Sequence, residues 1–377
     1  MALDLTVIRE DIDKIDKNIV ELFEERMKLC EDVARYKIGV GKDVLDKERE
    51  ITKINKLTSL AHGEFNEHGV EELFTQIMAI SRKRQYQLLA ENGIVELPEF
   101  KKVDYIDKKN VKVVYQGVPG AYSNQAMLNY FGENVDNMMV PTFRDAMEVI
   151  YRGEADYAVL PVENSTAGIV ADTYDLLMEF DNYVVDMVDV KVEHALLGLK
   201  DADMSDIKVV YSHPQGLMQC SKFLDEHKEW KQISQPNTAG SAKKVVEEND
   251  KTQAAIASET AAKIYGLKVL ESNINHNTDN TTRFIIVGKE KIYRKDAGKI
   301  CICFEVPHES GTLYNMLSNF IYNGLNMTKI ESRPIVDKSW EYRFYVEFEG
   351  RLEDAAVKNA LSGIKSEANY MKIIGNF

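Results

Sequence analysis

The stretch from residue 5 to about 90 contains no proline, and its apolar side chains recur at steps of three and four. That period commits the segment to helix, and breaks near Gly39-Val40-Gly41 and Ala61-His62-Gly63 divide it into three. In the first helix Ile8, Ile12, Ile15, Ile19, Leu22, Leu29 and Val33 mark one stripe, and the same register puts Arg26 and Lys37 on it. A desolvated cation costs several kcal/mol unless an anion meets it. Glu50 shares a face with Ile54 and Leu57, while Ser81 and Gln85 interrupt the stripe Val70, Phe74, Ile77 and Leu88. Asp46, Arg49 and Glu50, at i, i+3 and i+4, form one cluster at the start of the second helix. Any one of these residues alone fits a surface ion pair; together they predict a pocket for an anionic small molecule. The first helix, roughly 50 Å long at 1.5 Å per residue, is too long for two shorter partners to cover. It should pair with a second copy, with Arg9 at one end reaching the other chain's pocket.

With 377 residues the chain has room for two or three domains. After the helical domain at 1–91, residues 92–110 (NGIVELPEFKKVDYIDKKN) are charged, hold glycine and proline and keep no period, which makes them a linker. From Val111 short β-branched runs alternate with polar turns and helical segments, as in VKVVYQGVPGAYSNQAMLNYF, so 111–290 is expected to be an α/β domain. A third unit, 298–377, reads strand KICICFEV, helix GTLYNMLSNFIYNG, strands LNMTKIESRP and EYRFYVEFEG, helix EDAAVKNALSGIKSEA and strand MKIIGNF. That order, βαββαβ, is the ferredoxin-like α+β arrangement.

Against 47 basic side chains stand 61 acidic ones, a formal charge of -14 that makes nucleic acid and anionic membrane poor partners. An anionic ligand must then find a local cationic pocket. The charged start MALDLTVIREDID lacks an apolar h-region, and no long apolar run follows, so a cytoplasmic protein is expected. Cys30, Cys220, Cys301 and Cys303 form no Cys-x-x-Cys pair and read as reduced packing thiols. His62 and His68, the nearest histidines, lack a metal-ligand spacing, and no Gly-x-Gly-x-x-Gly occurs, so neither metal nor cofactor is expected.

In the α/β domain, Gly117 to Ser123 (GVPGAYS), Glu163 to Gly168 (ENSTAG), Ser212 to Gly216 (SHPQG) and Ser258-Glu259-Thr260 are expected to end strands and open helices. Such ends commonly cap themselves, but several facing one cleft would bind a carboxylate or phosphate without a formal positive charge. Thr282-Arg283-Phe284 adds a hydroxyl and a cation just before the apolar strand IIVG.

Arg9, Arg26, Lys37, Asp46-x-x-Arg49-Glu50, Ser81 and Gln85 stand in an order and spacing that resembles the all-helical chorismate mutases. The resemblance implies that Arg26, with Arg9 of the partner subunit, holds the substrate carboxylates. It also implies that Lys37 and Gln85 flank the breaking ether oxygen while an acidic residue bonds the hydroxyl, with Lys37, Gln85, Arg49 and Glu50 as the catalytic set. A Claisen rearrangement is unimolecular and moves no proton, so a compact conformer and well-aimed donors suffice.

GxPGAYS, PVENSTAG, YSHPQ and TRF, in this order, closely resemble the prephenate dehydratases. That likeness implies two lobes, as in a periplasmic binding protein, with the substrate between them. Thr282 would be the catalytic threonine, assisting departure of the ring hydroxyl as carbon dioxide leaves; Asn164, Ser165, Thr166, Ser212, His213, Gln215, Arg283 and Phe284 would bind substrate.

His308-Glu309-Ser310-Gly311-Thr312-Leu313-Tyr314 and Glu331-Ser332-Arg333-Pro334 resemble the two phenylalanine-binding motifs of the ACT regulatory domain. Where that family has alanine-leucine-valine after the glycine, this chain has Thr312, Leu313 and Tyr314. The implied effector contacts are Gly311, Thr312, Leu313, Glu331, Ser332, Arg333 and Pro334, and pairing of such domains implies a dimer or tetramer. The expectation is therefore an enzyme that turns chorismate into prephenate and prephenate into phenylpyruvate, with feedback by phenylalanine. Two alternatives stay open: a dehydratase preferring arogenate, and a non-catalytic solute-binding protein with an amino-acid sensor.

Overall fold

A computed structural model describes residues 4–94, 97–335, 338 and 340–377, so Val95 and Glu96 of the expected linker and the first three residues of the charged start lie outside the described residues. The N-terminal segment forms the three expected helices, α1 (Leu5–Val40), α2 (Lys47–Thr58) and α3 (Glu64–Glu91). Asp4 caps α1 through its side chain, and Gly41, in the left-handed region, ends it. Asp46 caps α2 by accepting the backbone N–H of Arg49 at 3.2 Å. Both α1 and α2 pack on α3. The apolar stripe of α1 is left open in the single chain: Ile12, Ile15, Ile19, Leu22 and Leu29 are 50 to 65% exposed.

Residues 100–298 belong to a compact unit that carries two sheets. A short strand, β1 (Lys101–Val103), precedes the first sheet, whose strands are β2 (Lys112–Gln116), β3 (Asp136–Val140), β4 (Tyr157–Asn164), with β5 (Gly168–Ile169) folded back on it, and β6 (Tyr183–Lys191). Helices α4 (Tyr122–Phe131), α5 (Phe143–Arg152) and α6 (Ala171–Glu179) connect them. The chain then builds a second sheet from β7 (Ala195–Gly198), β8 (Val209–Ser212), β9 (Lys231–Ser234), β10 (Gln253–Ala257) and β11 (Lys268–Glu271). Its helices are α7 (Pro214–Gln219), α8 (Ser221–Asp225), α9 (Thr238–Glu248) and α10 (Glu259–Tyr265). Finally β12 (Thr281–Gly288) returns to the first sheet between β4 and β6, and β13 (Ile292–Arg294) pairs with β1. Two lobes result, each with its own apolar core: Val113, Met127, Val159 and Ile286 in the first, Leu197, Ala242 and Ala255 in the second.

The strand order within the lobes, β3-β2-β4-β12-β6 and β11-β7-β10-β8-β9, places the ends of β4, β8 and β12 around one cleft. One expectation fails here. The segment from Glu163 to Gly168 opens no helix, because Asn164 Oδ1 accepts the backbone N–H groups of Thr166 and Ala167 at 3.0 and 2.9 Å and turns the chain straight back into β5. Small polar residues serve such side-chain turns as readily as helix caps.

The last part is βαββαβ: β14 (Lys299–Glu305), α11 (Thr312–Tyr322), β15 (Met327–Pro334), β16 (Tyr342–Glu349), α12 (Ala355–Glu367) and β17 (Tyr370–Asn376). Strands β15, β16, β14 and β17 lie side by side in that order. Lys299–Ile373 joins the residues up to Glu99 in one compact unit, with α3 packed on α12 and α11. That packing explains why Arg82, Lys83 and Tyr86 of α3 are buried. Among the described residues no helix is long and apolar enough to cross a membrane.

Candidate active sites

In the helical segment Arg26, Lys37, Asp46, Arg49, Glu50, Ser81 and Gln85 line one cavity of about 220 Å³. Arg26 donates to Ser81 Oγ at 2.6 Å and Lys37 to the carbonyl of Val44 at 2.5 Å. Both cations are half-buried, and among the described residues no carboxylate lies within ion-pair distance of either. Burial lowers the Lys37 pKa; the Asp46 carboxylate opposes this and the Arg49 guanidinium adds to it. Gln85 is 6% exposed, and its Oε1 has no hydrogen-bond partner among the described residues. Such an unclaimed buried amide is costly unless something else meets it. Arg9 does not line this cavity: it is exposed, and along α1 it sits about 25 Å from Arg26 at 1.5 Å per residue.

Glu50 is engaged with a residue that no pattern in the sequence singles out. Arg82 of α3, on a face that reads as solvent in the isolated helix, ion-pairs with Glu50 and also with Glu367 of α12. Burial works against the Arg82 cation, but the Glu367 and Glu50 carboxylates more than offset it and hold its pKa above the usual value.

Between the two lobes of the second unit lies a cavity of about 460 Å³ lined by Asn164, His213, Gln215, Thr282 and Phe284. Thr282 Oγ1 accepts from Asn164 Nδ2 at 2.8 Å, and the same amide donates to Asn280 Oδ1 at 2.8 Å. This uses an oxygen lone pair and leaves the hydroxyl proton for another acceptor. Two glycines of the motifs act by close approach. A Cβ on Gly120, at φ +85°, would lie 2.9 Å from Cα of Ala261, and one on Gly216 would lie 2.6 Å from Ser212 Oγ.

Four residues expected at this cleft do not line it. Arg283 points to the opposite face of β12, where it pairs with Asp189 at 3.0 Å, because neighbouring side chains of a strand alternate. Ser212 is fully buried and donates to the carbonyl of Ile256 at 2.7 Å. Ser165 and Thr166 are spent on the turn after β4, bonded to the backbone of Asp279 and Thr281 and to Asn280. In their place the cavity holds Tyr122, His194 and Gln219. His194, 2% exposed, has Nε2 at 2.9 Å from Gln219 Oε1 and Nδ1 at 3.1 Å from the Tyr122 hydroxyl. Burial lowers its pKa, opposed by the Gln219 bond, so the ring is neutral near pH 7. A lone histidine in KVEHALLG carries no sequence signal of this role.

In the C-terminal part Gly311, Thr312 and Leu313 line a cavity of about 370 Å³ with Glu341, Tyr342 and Phe344. Glu331, Ser332, Arg333 and Pro334 do not line it; they lie on β15, in register with residues 342–345 of β16.

Compared with known proteins, residues 8–86 match the family described as chorismate mutase type II and residues 113–292 the family described as prephenate dehydratase. A bifunctional chorismate mutase/prephenate dehydratase of Buchnera aphidicola subsp. Schizaphis graminum is 32% identical over 382 residues, spanning 99% of this chain and 96% of that protein. One of Escherichia coli K12 is 30% identical, spanning 98% of this chain and 95% of its own length. A solved prephenate dehydratase from Arthrobacter aurescens, in complex with L-Phe, matches with a TM-score of 0.65 at 28% identity, over 70% of this chain and 89% of that one.

Proposed function

This chain belongs to the bifunctional chorismate mutase/prephenate dehydratase family, and from that premise we propose how its residues divide the work. It is an enzyme of phenylalanine biosynthesis with both activities, making prephenate from chorismate and phenylpyruvate from prephenate.

The cavity among α1, α2 and α3 is the mutase site. The observation that carries this reading is the pair Arg26 and Lys37, half-buried with no carboxylate partner among the described residues, which suits a dianionic substrate. Arg26 binds one substrate carboxylate and Arg9 of the partner subunit the other. Lys37 and Gln85 direct donors at the ether oxygen, where negative charge grows as the bond breaks, and need no proton transfer to do so. Arg49, Asp46, Glu50 and Ser81 complete the wall.

The cleft between the lobes is the dehydratase site. Asn164 holds the Thr282 oxygen so that its proton faces the ring hydroxyl. As the carbon–carboxylate bond breaks and carbon dioxide leaves, its electron pair enters the ring, and the hydroxyl departs as water with a proton relayed through Thr282. Aromatisation drives the step; orientation makes up for the weak acidity of a threonine. His213, Gln215 and Phe284, with Tyr122, neutral His194 and Gln219, shape the rest of the cavity.

Functionally, 1–91 is the mutase domain, 111–290 the dehydratase domain and 298–377 an ACT regulatory domain that takes phenylalanine near Gly311, Thr312 and Leu313, with Glu331 to Pro334 on the adjoining strand. The L-Phe held by the related dehydratase supports that effector. The enzyme works in the cytoplasm as a dimer or tetramer built through the open stripe of α1 and through the regulatory domains. Purified full-length protein given chorismate should form phenylpyruvate, detected by its ultraviolet absorbance. Thr282→Ala should stop at prephenate, and Lys37→Ala should use only added prephenate. Phenylpyruvate formed from chorismate at the normal rate by either variant would refute the assignment.

A further inference from the structure

The carboxylate of Glu50, at the wall of the mutase cavity, is already gripped from behind. Arg82, only 7% exposed, reaches from α3 to Glu50 and, through Nε at 2.9 Å, to Glu367 at the end of α12, 285 positions along the chain. One residue further, Lys83 Nζ donates to Ser318 Oγ of α11 at 2.8 Å in a second buried bond. A guanidinium presents its donors in a rigid plane, so seating Nε on one carboxylate fixes the direction in which the terminal nitrogens meet the other. Leaving either anion unpaired at this depth is costly, and the three groups therefore hold one arrangement.

We infer that Arg82 is a positioning residue of the mutase site, with Glu367 of the C-terminal segment as its anchor: it orients the Glu50 carboxylate and cancels its charge toward a dianionic substrate. Rearrangement by the helical segment then depends on a residue of the segment after Lys299. The inference rests on reading this cavity as the chorismate site. A bare or swung-out carboxylate would repel chorismate in the ground state and the transition state alike, so its signature is weaker binding at nearly unchanged turnover.

The test uses full-length protein. Arg82→Lys keeps the cation but cannot fork two carboxylates, and Glu367→Gln, the gentler change, keeps the shape and removes only the anchoring charge. We expect the KM for chorismate to rise roughly tenfold in the first and about threefold in the second, kcat staying within about twofold. The double variant should be no worse than Arg82→Lys alone, since both changes open the same clamp. The KM for prephenate should not move. Damage to structure alone would lower the active fraction, and hence kcat, at constant KM; that result, or an unchanged KM in both variants, overturns the inference. Lys37→Ala assayed alongside separates the two readings. If it loses mutase turnover while Arg82→Lys keeps its KM, only the clamp is refuted; if it turns chorismate over normally, the assignment of the cavity falls and the clamp with it.

Discussion

Opposing influences act on the charge of Lys37: desolvation lowers its pKa, the Asp46 and Glu50 carboxylates raise it, and the Arg49 guanidinium adds to the lowering. Only the protonated form brings a positive charge, and hence a strong donor, to a developing oxyanion. Because the free-enzyme pKa is lowered, mutase kcat/KM should fall as pH rises through a midpoint below that of an ordinary lysine. Bound dianion favours the cation, so the same limb in kcat should lie higher. A kcat/KM profile flat into the range of unperturbed lysine would contradict this, and Lys37→Ala should cost about 3 kcal/mol of transition-state stabilisation without lowering the melting temperature. The stripe arithmetic that places Lys37 and Arg26 inward depends only on local spacing, which is why it was legible in the sequence. Arg82 was not: one step off the polar seam, it reads as solvent-facing until α12 covers it. Arg283 could have been excluded, since it alternates with Thr282 on one strand. His194 draws its setting from Tyr122 and Gln219, far away in sequence, and no local pattern announces it.

At the scale of elements, α1 carries the clearest unfinished surface. Ile15 and Leu22 are 58% and 65% exposed, on a helix whose remote Arg9 is assigned to another subunit's cavity. Replacing both with glutamate should separate the subunits in sedimentation velocity and abolish mutase activity for want of Arg9, while prephenate is still consumed. A variant that stays associated and active would remove α1 from the interface. All three helices and the βαββαβ order were readable because period and breakers are local signals. What pairs with what was not. Strand β12 lies between β4 and β6, which precede it by roughly a hundred residues, and its register is set by packing that a run of apolar residues does not encode. The turn after Asn164 departs from the expected helix start for a related reason, since a side-chain acceptor can close a turn or cap a helix with the same residue types.

For the molecule as a whole, the two cavities proposed for the two reactions lie in different compact units. Prephenate made in one unit should therefore be able to travel through solution. Mixing Lys37→Ala with Thr282→Ala, each unable to complete the sequence, should restore phenylpyruvate formation from chorismate, with a lag while free prephenate accumulates. No restoration, with both partial activities intact, would mean that the intermediate is never released. Three segments of different structural pattern were legible along the chain, but not the grouping of the first with the third, which rests on burial of one face of α3 by α11 and α12.

That grouping has a consequence for how the protein is made. A ribosome delivers α12 long after α3, and at typical elongation rates of about 5–20 residues per second the wait lasts tens of seconds. Throughout it Arg82 of the nascent chain stands without Glu367, and until α11 is made Lys83 stands without Ser318. A stop codon shortly before residue 355 would leave Arg82 permanently without Glu367, while Lys83 could still reach Ser318 of α11, so the late translation of α12 governs how one face of α3 is finished.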